Sequence, residues 1–166
     1  MLIVFYLASL VAIISTLLVI TRVNAVHALL YLVVSLLSVA LVFYLLGSPF
    51  AAALEVIVYA GAIMVLFIFV VMMLNLGPAA SEEERRLLEP RMWQGPGILA
   101  LVLLIELGYV LFSGVGGPAP SVYIAPWAVG AALYGPYIIA VELASFLLLA
   151  GLVGAYHLGR REGDGR

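Results

Sequence analysis

EVIVYAGAIMVLFIFVVMMLNL, Glu55 to Leu76, is the stretch on which the reading of this chain turns. It is long and apolar enough to cross a bilayer, whose hydrocarbon core takes about 20 helical residues at about 1.5 Å each. Its first turns nonetheless carry a carboxylate (Glu55), a phenol (Tyr59) and a small-residue patch, Ala60-Gly61-Ala62. The chain as a whole is 66% hydrophobic and 10% charged over 166 residues, more apolar side chain than a water-soluble domain of this size can cover. Lipid is therefore its solvent, and the fold class expected is an all-α polytopic membrane protein.

Working outward from that stretch, five segments are long enough to span: about 2–21, 26–46, 50–76, 97–112 and 136–158. Together they make one membrane domain over residues 1–166, with a polar loop at 77–96 and a second loop at 113–135. The first segment lacks a basic leader and a small-residue cleavage site, so it reads as a retained span. Asn24 is placed to cap the second helix. Gly47-Ser48-Pro49 predicts a tight turn between antiparallel neighbours. Gly77-Pro78 should stop the third span. SEEERRLLEPRMWQ, Ser81 to Gln94, reads as an exposed loop, with one turn capped by Ser81 and Glu84. The uncharged 114–135 stretch is rich in Gly and Pro, and its Tyr123, Trp127 and Tyr134 suit the lipid–water interface.

All seven basic residues are arginines, and none lies inside a long apolar run. Arg22 follows the first span. Arg85, Arg86 and Arg91 follow the third, and Arg160, Arg161 and Arg166 follow the fifth. Five spans put all three groups on one side. The positive-inside rule then predicts an outside N-terminus and a cytoplasmic C-terminus. A four- or six-span arrangement would scatter the arginines. Nothing in this pattern points to nucleic acid. The absence of cysteine excludes disulfides, thiolate metal sites and cysteine nucleophiles.

Three carboxylates fall within spans: Glu55, Glu106 and Glu142. Such groups are costly in hydrocarbon and usually face protein or a water-filled cavity. The topology allows all three to lie in one layer of the outer half of the membrane, with no basic residue of this chain at hand to pair with them. Each is either a neutral acid bonding a neighbouring helix or a group compensated by water or a partner subunit. Glu55 and Tyr59, four apart, share a helix face flanked by Ala52, Val56, Ala60, Ala62 and Ile63. Small residues there serve close helix packing in the ordinary reading. In the sharper one, Gly61 lowers the cost of a π-bulge, which frees backbone groups beside Tyr59. Met64, Met72, Met73, Phe67 and Phe69 are apolar filling, and His27 and His157 have no metal-ligand spacing. No phosphate-binding loop, nucleophile motif or metal cluster is present in the sequence.

Glu55–Leu76 closely resembles the third transmembrane helix of the subunit J family of bacterial respiratory complex I, the NADH:quinone oxidoreductase. TRVNAVHALLYLVVSLL, Thr21 to Leu37, resembles that family's first loop and second helix, with Ala25 where the family usually has proline. The resemblance covers roughly Leu2 to Leu76. Beyond that it is one of layout and length, and no functional residue is carried over. It implies a cofactor-free, non-catalytic membrane-arm subunit in the bacterial cytoplasmic membrane, one copy per hetero-oligomeric complex. Its neighbours would be subunits A, K, H and N. NADH, FMN, iron–sulfur clusters and quinone would be held by other subunits. It also implies that the third helix switches between α and π-bulged forms, a behaviour that carries over to Tyr59, Ala60, Gly61 and Val65. The contrasting expectation is a free-standing small ion channel or transporter using the intramembrane carboxylates. A pure assembly scaffold within the same complex is the third.

Overall fold

The computed structural model describes residues 2–22, 25–74, 90–112 and 123–159. The described residues are helical with short connections, and no strand occurs among them. Five helices among them are long and apolar enough to cross a membrane. The chain divides into two compact units, Met1–Ile124 and Ala125–Arg166.

In the first unit, α1 (Leu2–Thr21) and α2 (Ala25–Leu45) lie against each other. Two observations fix their register. The hydroxyls of Thr16 and Ser35 are 2.8 Å apart across the interface. The buried positions of α1, Val4, Ala8, Val11 and Ser15, recur every three or four residues and so form one helix face. α2 ends in the expected turn. Gly47 takes a φ of 90°, which glycine adopts at little cost, and the Gly47 and Ser48 amides donate to the carbonyls of Tyr44 and Phe43. The Gly47 carbonyl accepts from the Ile124 amide at 2.8 Å, which anchors the end of this unit to the turn.

The third span follows from Pro49, whose missing N–H costs nothing at a helix start. It comprises α3 (Pro49–Leu54), a π-helical segment (Glu55–Ile63) and α4 (Met64–Leu74). The fourth span, α5 (Pro90–Phe112), packs on α1 and α2. Ala8, Val11, Val34, Leu41 and Leu103 form the buried core where these three helices meet.

Two expected loops are shorter than the sequence suggested. Residues 90–96, placed in the polar loop, are helical, and the apolar part of the fourth span begins at Trp93. Gly95-Pro96-Gly97 looks like a break, but helix is the cheapest way to satisfy backbone groups in lipid, and neighbouring helices tolerate the lost bond. Residues 126–133, placed in the second loop, form α6 (Pro126–Leu133), with Ala125 extended and Pro126 at the first helical position. α7 (Ile138–Gly159) is the fifth span, and with α6 it makes the second unit. Between α6 and α7, a Cβ on Gly135 would stand 2.7 Å from the Ala131 carbonyl oxygen, so that turn requires glycine. The expected Asn24 cap, the Gly77-Pro78 stop, the Ser81 cap and Arg85, Arg86, Arg160, Arg161 and Arg166 lie outside the described residues, as does the side chain of Arg91.

Candidate functional site

The third span is regular α-helix at both ends and π-helical between them. Over Glu55–Ile63 the backbone bonds run to the fifth residue back, and the Met64 amide closes the segment by donating to the carbonyls of Tyr59 and Gly61. Ala60-Gly61-Ala62 lies within this wider turn. Gly61 lies inside this segment. A Cβ there would lie 3.2 Å from the Val56 carbonyl oxygen, tighter than most Cβ contacts. Only a wide turn brings a carbonyl five residues back that close.

Tyr59, Ala60 and Gly61 all fall inside the π segment, and Val65 is the second residue of α4. A turn with one extra residue rotates all that follows by about 100° relative to a continuous α-helix. Val65 therefore faces where it does because of the segment before it. Tyr59 and Val65 are exposed in the isolated chain, whereas Met64 between them is 1% exposed. Met64 is almost fully buried at the end of the segment, a placement that a methionine in an apolar run does not advertise in sequence.

Glu55 opens the π segment and is half-buried. Beside it, Leu41, Tyr44, Ala52, Val56, Ala100 and Leu104 line part of a groove of about 400 Å³ between α2, the start of the third span and α5. Glu106, on α5, is 6% exposed, and neither carboxylate oxygen has a hydrogen-bond partner within the described residues. Glu142, on α7 in the second unit, is exposed. Its backbone carbonyl accepts from the Ser145 hydroxyl at 2.7 Å. Glu55 and Glu106 share the first unit.

At the Arg22 end of that unit, Tyr31 is buried. Its ring centre is 5.0 Å from that of His27, and the Arg22 guanidinium lies 5.6 Å from it. The Tyr31 hydroxyl fills the space that a side chain on Gly95 would need. His27 is thus part of an interfacial aromatic cluster. No group of three or more metal-ligating side chains occurs among the described residues.

These features define a class: a polytopic all-α membrane protein with acids inside its spans and a π-helical turn at a glycine of the third. The profile of the family described as NADH-ubiquinone/plastoquinone oxidoreductase chain 6 matches residues 15–158. NADH-quinone oxidoreductase subunit J of Pseudomonas aeruginosa is 62% identical over 161 residues, which cover 95% of this chain and 96% of that protein. The subunit J of Escherichia coli strain K12 is 55% identical over 97% of this chain and 88% of its own length. That of Rhodobacter capsulatus is 37% identical over 95% and 80%. The chain belongs to the NADH-quinone oxidoreductase subunit J family, membrane subunits of respiratory complex I.

Proposed function

We propose that this chain is a cofactor-free, non-catalytic membrane-arm subunit of a proton-pumping NADH:quinone oxidoreductase, and that its third span couples quinone reduction to proton translocation by converting between π and α forms. The π segment Glu55–Ile63 supports this reading most directly. One helix with two packings a few kcal/mol apart is a bistable element of the kind that switching requires. Gly61 tolerates both turns, Tyr59 carries a hydroxyl that moves with the turn, and Val65 rotates when the extra residue is absorbed. Glu55 sits at the hinge end and sets the polarity there.

In the assembled enzyme the exposed faces of the third and fifth spans meet other subunits, with A, K, H and N as the neighbours the family resemblance implies. NADH, FMN, iron–sulfur clusters and quinone are bound elsewhere in the complex. The N-terminus lies outside and the C-terminus in the cytoplasm of a bacterial inner membrane, as the arginine distribution favours.

Gly61→Leu tests the coupling role in the intact complex. Quinone-linked proton pumping should fall well below wild type, while NADH oxidation by an artificial acceptor stays near it. Equal loss of both activities in an assembled complex would sink the coupling role. Loss of assembled complex with unchanged turnover per complex would assign the chain a scaffold role.

A further inference from the structure

Glu106 is the buried ionisable group that the third-span switch does not use. It lies on the face of α5 that carries Leu99, Leu103 and Val110, three or four residues apart, and that face packs on α1 and α2. Two hydroxyls in the same packing layer share its condition. Ser15 on α1 and Ser38 on α2 are both 0% exposed, and neither hydroxyl has a protein partner within the described residues. Helical hydroxyls normally satisfy themselves on the carbonyl four residues back. In this chain Ser9, Thr16 and Thr21 do so, at 2.7, 2.8 and 2.9 Å. Ser15 and Ser38 do not.

The helix registers stack the three groups. Thr16 meets Ser35, so Ser15 stands at the level of residues 35–36 of α2. Gly95 meets Tyr31, and Glu106 lies as far past Gly95 as Val42 lies past Tyr31, so Glu106 stands near the level of Val42. Ser38 falls between them. Val34 and Leu41, which flank Ser38 on its face, share a buried cluster with Leu103, one turn from Glu106. At about 1.5 Å per residue the offsets along the helix axis are about 3 Å between Ser15 and Ser38 and about 6 Å between Ser38 and Glu106. None of the three groups hydrogen-bonds another directly, which leaves water as the link between them.

We propose that Ser15, Ser38 and Glu106 form a hydrated proton-holding site between α1, α2 and α5, in which Glu106 is a neutral carboxylic acid joined to the serine hydroxyls through bound water. An unpaired carboxylate here would cost several kcal/mol or more, whereas a neutral acid both donates and accepts. A polar recess with two or more partners is where buried water is retained. Among the described residues no basic side chain lies on the buried helix faces around the site. The packed face of α1 carries no titratable group. That of α2 carries Tyr31, eleven residues from Val42 towards the Arg22 end, where Arg22 and His27 meet its ring, and Tyr44, two residues beyond Val42, lines the groove with Leu103 and Leu107 of α5. The third span contributes Glu55 and Tyr59, and α5 itself the exposed Tyr109. The site is separate from the π turn and does not rest on its switching.

Infrared difference spectroscopy of the intact wild-type complex against E106Q tests it. The expected difference is the carbonyl-stretch band of one protonated carboxyl at neutral pH. It should move on transfer to D2O without unfolding, and shift again in S38A as a hydrogen-bonded partner is lost. E106D keeps the acid and should replace the band by a displaced one, which secures the assignment where E106Q does not assemble. Absence of a protonated-acid band would mean an ionised Glu106 and overturns the proposal. So does a band that ignores D2O, which marks a dry acid, or one that S38A leaves unmoved.

Discussion

The carbonyl oxygen of Val56 stands 3.2 Å from the place a Cβ on Gly61 would take, five residues further along the same span. That contact belongs to the π turn. In an α turn the carbonyl five residues back is displaced along and around the axis, out of reach of the side chain. Gly61 leaves that approach open. A side chain there would need the Val56 carbonyl to give by a few tenths of an ångström for the π form to persist.

Gly61→Ala should move the third span towards regular α-helix. A bias of about 1 kcal/mol between the two forms changes their ratio about fivefold. Electron cryomicroscopy of the variant complex should show an α-helical 55–63 segment with Val65 turned by about 100°. A retained π segment would show that packing, and not Gly61, selects it.

At the other end of the unit, Gly95→Ala should destabilise the packing of α5 on α2, because the added Cβ collides with the Tyr31 hydroxyl. Overpacking of this kind costs about 1–3 kcal/mol. Tyr31→Phe removes the colliding oxygen and should recover part of the loss, so the two substitutions are non-additive. Thermal inactivation of the solubilised complex for both single variants and the double variant reads the coupling. Simple additivity would place the Tyr31 hydroxyl elsewhere.

Thr16 and Ser35 tie α1 to α2 by a hydroxyl–hydroxyl bond of 2.8 Å, beside which the Ser35 hydroxyl makes a longer contact of 3.4 Å with the Ala12 carbonyl. Hydroxyl bonds between membrane helices contribute about 0.6 kcal/mol on average. Ser35→Ala should therefore cost little and leave assembly intact, and the double cycle with Thr16→Val should give a coupling of that order. A coupling above about 2 kcal/mol would mean that more than this one bond joins the pair.

How much of this was legible in the sequence follows from what each residue's environment demands. Apolar length gave the spans, because lipid imposes one requirement on every segment that crosses it. Glycine with positive φ at 47 was legible from Gly-Ser-Pro. The helical 90–96 segment was hidden, because the polar run Ser81–Gln94 reads as loop and nothing in it shows that Tyr31 occupies the side-chain space at Gly95. Pro126 read as loop, although proline also starts helices. For the π segment, Tyr59 and Gly61 marked the place, while its nine-residue extent depends on the bonding of the whole turn. Met64 and the unpartnered serines carried no signal at all. Burial of a methionine or a serine inside an apolar run is decided by the neighbouring helices, which one helix's sequence does not specify.

Met64 should be the residue through which the π segment is held. It closes the segment with its amide and buries its side chain almost fully, while Tyr59 and Val65 on either side are exposed. Met64→Ala opens a cavity at that point. In water-soluble cores such a change costs about 2–5 kcal/mol. In lipid the transfer part of that cost is small, since the side chain is in an apolar medium on both sides of the comparison. The packing part remains, so about 1–3 kcal/mol is expected. The loss should appear as lower thermal stability and as a third span that no longer holds one register, with quinone-linked pumping reduced more than NADH oxidation by an artificial acceptor. Met64→Leu, close in volume, should restore most of both. If Met64→Ala lowers stability but leaves pumping per complex at the wild-type level, Met64 packs the bundle without holding the π turn, and the anchor must be sought in residues that cover Tyr59 from another subunit.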